Sequence, residues 1–130
     1  MPETELMSRK IEFVEPVTER QLQEILENTV TELNLDGVWH FEHGYTHNNL
    51  SSHSINEKLH GFIRLVDGIH AITEFNAGYW KGFNKKPQWG DIDFFPSRGC
   101  KESEQLYPKY IDQIYNTFKK NYEIITKSKT

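Results

Sequence analysis

The sequence predicts an α+β fold in which a mainly antiparallel β-sheet of four to five strands carries an N-terminal and a C-terminal amphipathic helix on one face. Two stretches with apolar residues at helical spacing flank several short runs that alternate polar and apolar residues. Because neighbouring strands along a chain usually pair antiparallel, this order favours helices packed on one side of a sheet. At 130 residues, we expect a single domain (1–130) with loose ends at about 1–8 and 126–130.

The first predicted elements are a short strand and a helix. Residues 10–14 (KIEFV) alternate polar and apolar side chains and are soon followed by Pro16, which is typical of a strand near a sheet edge. Thr18 and Gln21 then have the spacing of a capping box, in which each side chain accepts a hydrogen bond from the other residue's backbone. Apolar residues recur at helical spacing after them, so we predict an amphipathic helix from about Glu19 to Leu33.

The next predicted strand has an aromatic side. Residues 38–45 (VWHFEHGY) alternate so that four side chains share one face, namely Trp39, Phe41, His43 and Tyr45. Residues 46–58 are rich in Asn and Ser and keep no sustained period. This composition predicts a long surface loop.

A β-hairpin is predicted after that loop. Residues 59–66 and 69–75 are rich in strand-forming side chains, and the Asp67-Gly68 pair between them suits a two-residue turn. With that turn, one face carries Leu59, Gly61, Ile63 and Leu65 together with His70, Ile72 and Glu74. The other face then carries His60, Phe62, Arg64 and Val66 with Ile69, Ala71, Thr73 and Phe75. Both faces mix polar and apolar residues, so we expect both to be partly covered.

The last third of the chain predicts a loop, a strand and a helix. Residues 76–90 are rich in Gly, aromatic residues and Lys, and residues 91–95 (DIDFF) form a short strand ended by Pro96. Apolar and aromatic residues recur at helical spacing over 107–122. Pro108 is compatible with this helix only in its first turn.

Composition limits the environment and the partners of the protein. Fifteen Lys and Arg against nineteen Asp and Glu give a net charge of −4, which disfavours nucleic acid and permits a basic protein partner. The N-terminus lacks the pattern of a secretory signal, and no apolar run is long enough to cross a bilayer. Cys100 is the single cysteine, which excludes an internal disulfide and fits a reducing, cytoplasmic compartment.

Residues 79–89, which we call the aromatic-lysine segment, are the first candidate binding feature. Its aromatic residues are Tyr79, Trp80, Phe83 and Trp89, and its lysines are Lys81, Lys85 and Lys86. Aromatic faces and cations together suit bases, sugars or the surface of another protein. A structural role, with lysines that keep a loop soluble, explains the same pattern equally well.

Carboxylates are the second candidate binding feature. Asp91 and Asp93 alternate with Ile92 and Phe94, so both acids lie on one side of the predicted strand while the apolar residues point inward. The simplest interpretation is the solvated side of an amphipathic strand. Together with Glu42 and Glu74, however, these acids could meet a basic surface of a partner protein.

Histidines and Cys100 offer the remaining chemistry. His40, His43, His47 and His53 lie close in sequence, but on a strand His40 and His43 point to opposite faces, which does not suit a simple metal site. Cys100 could pair with a distant His as a nucleophile, although a lone cysteine is more often an ordinary residue. We therefore predict no metal, no cofactor and no catalytic residue.

These features lead to one functional hypothesis and two alternatives. The leading hypothesis is a small protein-binding module of the inhibitor or immunity-protein kind, which neutralises a partner through its acidic sheet face and the aromatic-lysine segment. The first alternative is a small enzyme or ligand-binding domain, with or without a metal, whose pocket holds His40, Glu42, His70 and Asp93. The second is single-stranded nucleic-acid binding through the aromatic-lysine segment. Both a monomer and a homodimer are compatible with the sequence.

Overall fold

The computed structural model describes residues 6–47, 53–80 and 88–127, and the side chains of these residues apart from 43–47, 53–57 and 79–80. It contains five strands and two helices: β1 (Arg9–Val17), α1 (Glu19–Glu32), β2 (Leu35–His47), β3 (His53–Leu65), β4 (Ala71–Trp80), β5 (Gln88–Phe95) and α2 (Lys101–Lys127). The strands form one sheet in the order β1-β5-β4-β3-β2, and every neighbouring pair is antiparallel. The prediction of an α+β fold with an antiparallel sheet and two helices is confirmed.

The description of the first helix as N-terminal is not quite matched. Helix α1 follows strand β1, in the predicted order of strand and helix, so it does not itself open the chain. In the described sheet, strand β1 has β5 as its one neighbour and is an edge strand, while β2 is the opposite edge. Pro16 lies within β1, where an edge strand tolerates a residue that lacks a backbone N–H. Among the described residues, no helix combines the length and the apolar character needed to cross a bilayer.

One face of the sheet, the helix-covered face, forms the hydrophobic core with both helices. Alternation and register place these strand residues on it: Ile11, Trp39, Phe41, Leu59, Ile63, Phe75, Ile92 and Phe94. Phe94 packs between Phe75 and Phe118 of α2, with ring centroids 5.9 and 5.6 Å apart, and all three rings are fully buried. Aromatic side chains therefore supply much of the buried area.

Helix α1 begins where the capping box predicts. The Thr18 hydroxyl accepts a hydrogen bond from the Gln21 N–H at 3.2 Å, and the Gln21 side chain accepts one from the Thr18 N–H at 2.9 Å. The helix ends at Glu32 with Leu33 as its C-cap residue, and Asn34 follows with a φ of 56°. Asn tolerates this left-handed conformation better than most residues, so the chain can turn directly into β2.

Helix α2 is longer than the sequence predicts. It begins at Lys101, so Pro108 lies inside the helix and not in its first turn. The Glu104 N–H donates to the Cys100 carbonyl at 2.9 Å, which begins the helical hydrogen-bond pattern, and Glu102 and Glu104 provide the acidic first turn that a helix dipole favours. At its far end, Lys120 pairs with Glu32 of α1 and links the two helices.

The β3–β4 hairpin exists, but its turn and register differ from the prediction. The Gly68 N–H donates to the Leu65 carbonyl at 2.8 Å, so Val66 and Asp67 are the central turn residues, and Asp67 has a φ of 65°. A β-bulge then separates the pair Arg64–Ala71 from the pair Ile63–Thr73 and leaves Ile72 as the extra residue. Because one extra residue reverses the alternation, Phe75 shares a face with Ile63, whereas Glu74 lies opposite Phe62 on the other face.

The predicted loop over 46–58 is largely strand. Strand β2 continues to His47 and β3 begins at His53, and the two pair without interruption from Leu35–Leu65 to His47–His53. Residues 48–52 lie outside the described part of the chain. The polar residues at the ends of β2 and β3 are extended because their backbones pair with each other, and not because polar and apolar side chains alternate there.

The chain near each predicted loose end contacts the domain. The Tyr107 hydroxyl donates to the Met7 carbonyl at 2.6 Å, and the Arg98 guanidinium donates to the Leu6 carbonyl at 3.0 Å. Helix α2 extends to Lys127. The other predicted loose residues, 1–5 and 128–130, lie outside the described residues.

Candidate functional site

The second face of the sheet, the open face, is the candidate binding surface. Within the described part of the chain both helices pack on the helix-covered face, and side chains of the open face reach solvent from four strands. His40, His60 and Lys10 have 66%, 54% and 54% of their side chains exposed. As far as the described residues extend, this face is therefore accessible to another molecule.

The four predicted acidic contact residues all lie on the open face. Register places Glu42 on β2, Glu74 on β4, and Asp91 and Asp93 on β5, each alternating with core residues. The complete set of described carboxylates on this face is Glu12, Asp36, Glu42, Glu74, Asp91 and Asp93, and its described Lys and Arg residues are Lys10, Lys58 and Arg64. Six carboxylates against three cations make the surface acidic.

Asp91 is held in place by its neighbours. Its Oδ1 accepts a hydrogen bond from the Gly78 N–H at 3.1 Å, and its Oδ2 lies 3.7 Å from the Lys10 ammonium. A Cβ atom at position 78 would lie 2.6 Å from the Asp91 Oδ1, so a glycine leaves room for this carboxylate above the backbone. The orientation of Asp91 therefore depends on both adjacent strands.

Asp93 has a pKa above its ordinary value. Partial burial is the main cause, since it disfavours the charged form, and the nearby Asp91 carboxylate also raises the pKa. Lys10 acts in the opposite direction and lowers it. The ionised form of Asp93 is therefore held at some cost in folding stability.

Two histidines flank Glu42 on the open face. His40 and His60 are directly opposite each other on β2 and β3, with ring centroids 5.9 Å apart. The Nε2 atoms of His40 and His60 lie 4.0 and 3.6 Å from the Glu42 carboxylate. Protonation of either ring would form an exposed ion pair, which contributes little to stability.

The pocket of the enzyme alternative is not assembled. His40 and Glu42 lie on edge strand β2, whereas Asp93 lies on β5, three strand positions away and hence about 14 Å distant. His70 lies in the β3–β4 connection, beside Cys100. These four residues do not surround one cavity, so the described geometry gives the catalytic interpretation no common site.

A cavity of about 320 Å³ does open on the sheet between β3 and β4. Its lining residues are Lys58, Leu59, His60, Asn76 and Ala77. His60 is the one imidazole among them, and its nearby carboxylate, Glu42 at 3.6 Å, is not part of the described lining. The described wall therefore brings no carboxylate and histidine together inside the cavity, as acid–base catalysis on a bound substrate would require.

The aromatic-lysine segment is only partly described. Trp89 is fully buried against Phe41, with ring centroids 5.6 Å apart, so the prediction that it contacts a partner is wrong and it belongs to the core. The backbone of Tyr79 and Trp80 belongs to strand β4. The remaining predicted contacts, Lys81, Phe83, Lys85 and Lys86, lie outside the described residues.

The structure also brings together a cluster that the sequence does not predict, formed by His70, Cys100 and Glu102. The Cys100 Sγ lies 3.6 Å from the His70 Nδ1, and the Cys100 thiol donates to the Glu102 Oε2 at 3.5 Å. The pKa of Glu102 is below its ordinary value because its own backbone N–H donates to the carboxylate, with smaller contributions from the thiol and from His70. Thirty residues separate Cys100 from His70, and no local pattern marks their meeting.

Comparison with known proteins gives no family. The sequence matches no protein-family model and no curated protein, and the structure matches no solved structure.

Proposed function

We propose that this protein is a small protein-binding module that engages a basic partner protein through the open face of its sheet. The observation that carries the proposal is the excess of carboxylates on this face, which four of the five strands supply and which neither described helix covers. The inhibitor or immunity-protein character forms the finer part of the proposal. In that role the carboxylates occupy a basic active or binding site of the target.

The shape of the open face supports protein binding. Five strands spaced about 4.8 Å apart give a width of about 19 Å, and strands of eight or more residues are about 26 Å long. The product is about 500 Å², which is more than half of the roughly 800 Å² that each partner contributes to a standard protein interface. The open face can therefore supply the larger part of a specific interface, with adjoining segments supplying the rest.

The chemistry of the open face resembles that of an interface with a small apolar centre. Val38 and Phe62 are direct neighbours on β2 and β3, and Val38 is 44% exposed. The Arg64 guanidinium lies 6.0 Å from the Phe62 ring centroid and donates to the Asp36 carboxylate at 2.8 Å. Apolar groups surrounded by charged groups are typical of surfaces that bind other proteins.

Charge supports a basic partner in particular. An acidic surface attracts a basic protein over a distance of about 10 Å at moderate salt, which speeds association and disfavours acidic competitors. The aromatic-lysine segment connects β4 to β5. In this proposal, Tyr79, Trp80, Lys81, Phe83, Lys85 and Lys86 extend the contact at that end of the sheet, whereas Trp89 stays in the core.

The proposal is tested by comparing two variants with equal loss of charge. The open-face variant combines Glu12→Gln, Glu42→Gln and Asp91→Asn. The control variant combines Glu24→Gln, Glu27→Gln and Glu123→Gln, and these three control residues are exposed on the helices α1 and α2. Partners are captured from the host lysate with the unmodified protein, purified, and titrated by calorimetry.

The open-face variant should bind the purified partner on the order of tenfold more weakly, since each exposed charge pair contributes about 0.2–1 kcal/mol. The control should change the dissociation constant by less than about twofold. If both variants weaken binding equally, or if the captured protein is acidic, the open face is not the binding surface.

A further inference from the structure

The cluster of His70, Cys100 and Glu102 has the composition of a metal site. It offers one imidazole nitrogen, one sulfur and one carboxylate oxygen, and these atoms all lie within 4.8 Å of one another. Cys100 and His70 are half-buried, whereas Glu102 is exposed. The cluster lies away from the open face, between the start of α2 and the β3–β4 connection, and it plays no part in the proposed protein binding.

The two distances from the Cys100 sulfur match those that a tetrahedral zinc ion imposes on its ligands. Zinc binds sulfur at about 2.3 Å and nitrogen or oxygen at about 2.0–2.2 Å, so two such ligands at a tetrahedral angle lie about 3.4–3.6 Å apart. The observed Sγ–Nδ1 and Sγ–Oε2 separations are 3.6 and 3.5 Å. The third pair, the His70 nitrogen and the Glu102 oxygen, lies within 4.8 Å, whereas two such ligands of one zinc ion lie about 3.4 Å apart. An ion can therefore be accommodated if the exposed Glu102 carboxylate moves toward His70 by up to about 1.4 Å.

Charge favours a metal ligand over a catalytic nucleophile at Cys100. A nucleophilic thiolate is stabilised by positive neighbours, but the Glu102 carboxylate lies 3.5 Å from the sulfur and accepts its proton in a hydrogen bond. The carboxylate would repel a Cys100 thiolate in the absence of a cation. A divalent cation removes this repulsion, because the thiolate and the carboxylate together balance its two positive charges. Cys100 also lies outside the described linings of two cavities, one beside α1 at Glu19 to Glu27 and the other between β3 and β4 at Lys58 and Ala77. Neither cavity would therefore hold a substrate against the Cys100 sulfur.

We propose that His70, Cys100 and Glu102 form a binding site for Zn²⁺, with water as the fourth ligand. A thiolate and an imidazole select zinc over magnesium or calcium, which prefer oxygen ligands. Binding releases the Cys100 thiol proton to solvent. The His70 Nδ1 binds the ion, and its Nε2 keeps the ring proton. The ion links the first turn of α2 to the β3–β4 connection and stabilises the fold there.

Cobalt provides the test, since Co²⁺ replaces Zn²⁺ in tetrahedral sites and reports its ligands by absorption. The full-length protein is treated with a chelator, dialysed and titrated with Co²⁺ alone. We expect a thiolate-to-cobalt charge-transfer band in the near ultraviolet, saturating at one ion per chain, and its bleaching when Zn²⁺ is added. The band is specific to this site because Cys100 is the only cysteine.

Variants assign the other ligands. His70→Gln and Glu102→Gln should each weaken Co²⁺ binding at least about tenfold, since even groups behind the ligands contribute that much. His60→Gln, on the open face, should leave the band and its midpoint unchanged. The proposal is overturned if the unmodified protein gives no charge-transfer band, or if His70→Gln and Glu102→Gln bind Co²⁺ as tightly as the unmodified protein does.

A second measurement needs no substitution. The rate at which iodoacetamide alkylates Cys100 in the unmodified protein is followed by mass spectrometry with and without saturating Zn²⁺. We expect Zn²⁺ to slow alkylation at least about tenfold, because a bound thiolate is shielded from the reagent. Equal alkylation rates with and without Zn²⁺ would contradict the site. If those equal rates are also fast, Cys100 is a free, reactive thiol.

Discussion

Replacing Phe94 with alanine is predicted to remove a large part of the folding stability. Phe94 is fully buried on the helix-covered face and contacts the rings of Phe75 and Phe118. Truncation of a buried Phe costs about 3–5 kcal/mol, which includes the lost aromatic contacts and the cavity left behind. A domain of this size has a free energy of unfolding of about 5–15 kcal/mol, so the variant should fold but be far less stable.

The assay is urea unfolding followed by circular dichroism, with Phe95→Ala as the matched control. Phe95 is the next residue of β5, but alternation places it half-buried on the open face. Its truncation should cost about half as much, because less area leaves water when it folds. The melting temperature of Phe94→Ala should fall by about 10–20 °C. An equal loss in both variants, or a loss below about 1 kcal/mol for Phe94→Ala, would refute the assignment of the two faces.

Three further predictions concern single sites. Gly61→Ala should lower the free energy of unfolding by about 1–3 kcal/mol, because the added Cβ would lie 2.4 Å from the Val38 carbonyl oxygen. The urea midpoint should fall accordingly, and an unchanged midpoint would contradict the close β2–β3 approach. Burial raises the pKa of Asp93, so the fold loses stability as pH rises from the unfolded-state pKa of about 3.9 through the folded one. Asp93→Asn should therefore raise the urea midpoint at pH 7 more than at about pH 3, and a larger gain at the lower pH would refute this. Burial also raises the pKa of Tyr107 to about 12, so stability should fall as pH rises from about 10 to about 12. Tyr107→Phe should remove that fall while costing about 1 kcal/mol at neutral pH, because the hydrogen bond to Met7 is lost; an unaltered alkaline slope in melting experiments would contradict it.

Features determined by local sequence are predicted well. The capping box of Thr18 and Gln21 and the apolar periodicity of both helices depend on residues three or four apart, so they can be recognised without knowing the fold. The same holds for β5, where Ile92 and Phe94 alternate with Asp91 and Asp93 and are fully buried as predicted. The acidic side of β5 follows from that alternation.

Features determined by pairing between distant segments are not predicted. The bulge at Ile72 reverses the faces of the β3–β4 hairpin, and no residue type in that segment marks an extra residue. The polar strand pairing over 46–58 gives no apolar alternation, so composition suggests a loop. The Gly and Lys residues near Trp89 in sequence predict an exposed side chain that contacts a partner, but in the fold Trp89 is fully buried.

The Cys100 cluster shows the same limit for chemistry. Sequence analysis notes that a cysteine can pair with a distant His but favours an ordinary residue at Cys100, and it contains nothing that selects His70 among six histidines. The meeting depends on the β3–β4 connection and the start of α2 lying at the same end of the domain. Only the tertiary structure supplies that information.

The central claim, that the open face is the partner-binding surface, is tested most directly by carboxylate footprinting. The protein, alone and in complex with its purified basic partner, is labelled with a carbodiimide and a neutral amine, and the modified carboxylates are quantified by mass spectrometry. The account predicts that Glu42 and Asp91 on the open face are protected by the partner, whereas Glu24 and Glu27 on the outer side of α1 are labelled equally in both samples. Protection of Glu24 and Glu27, with Glu42 and Asp91 unchanged, would contradict it.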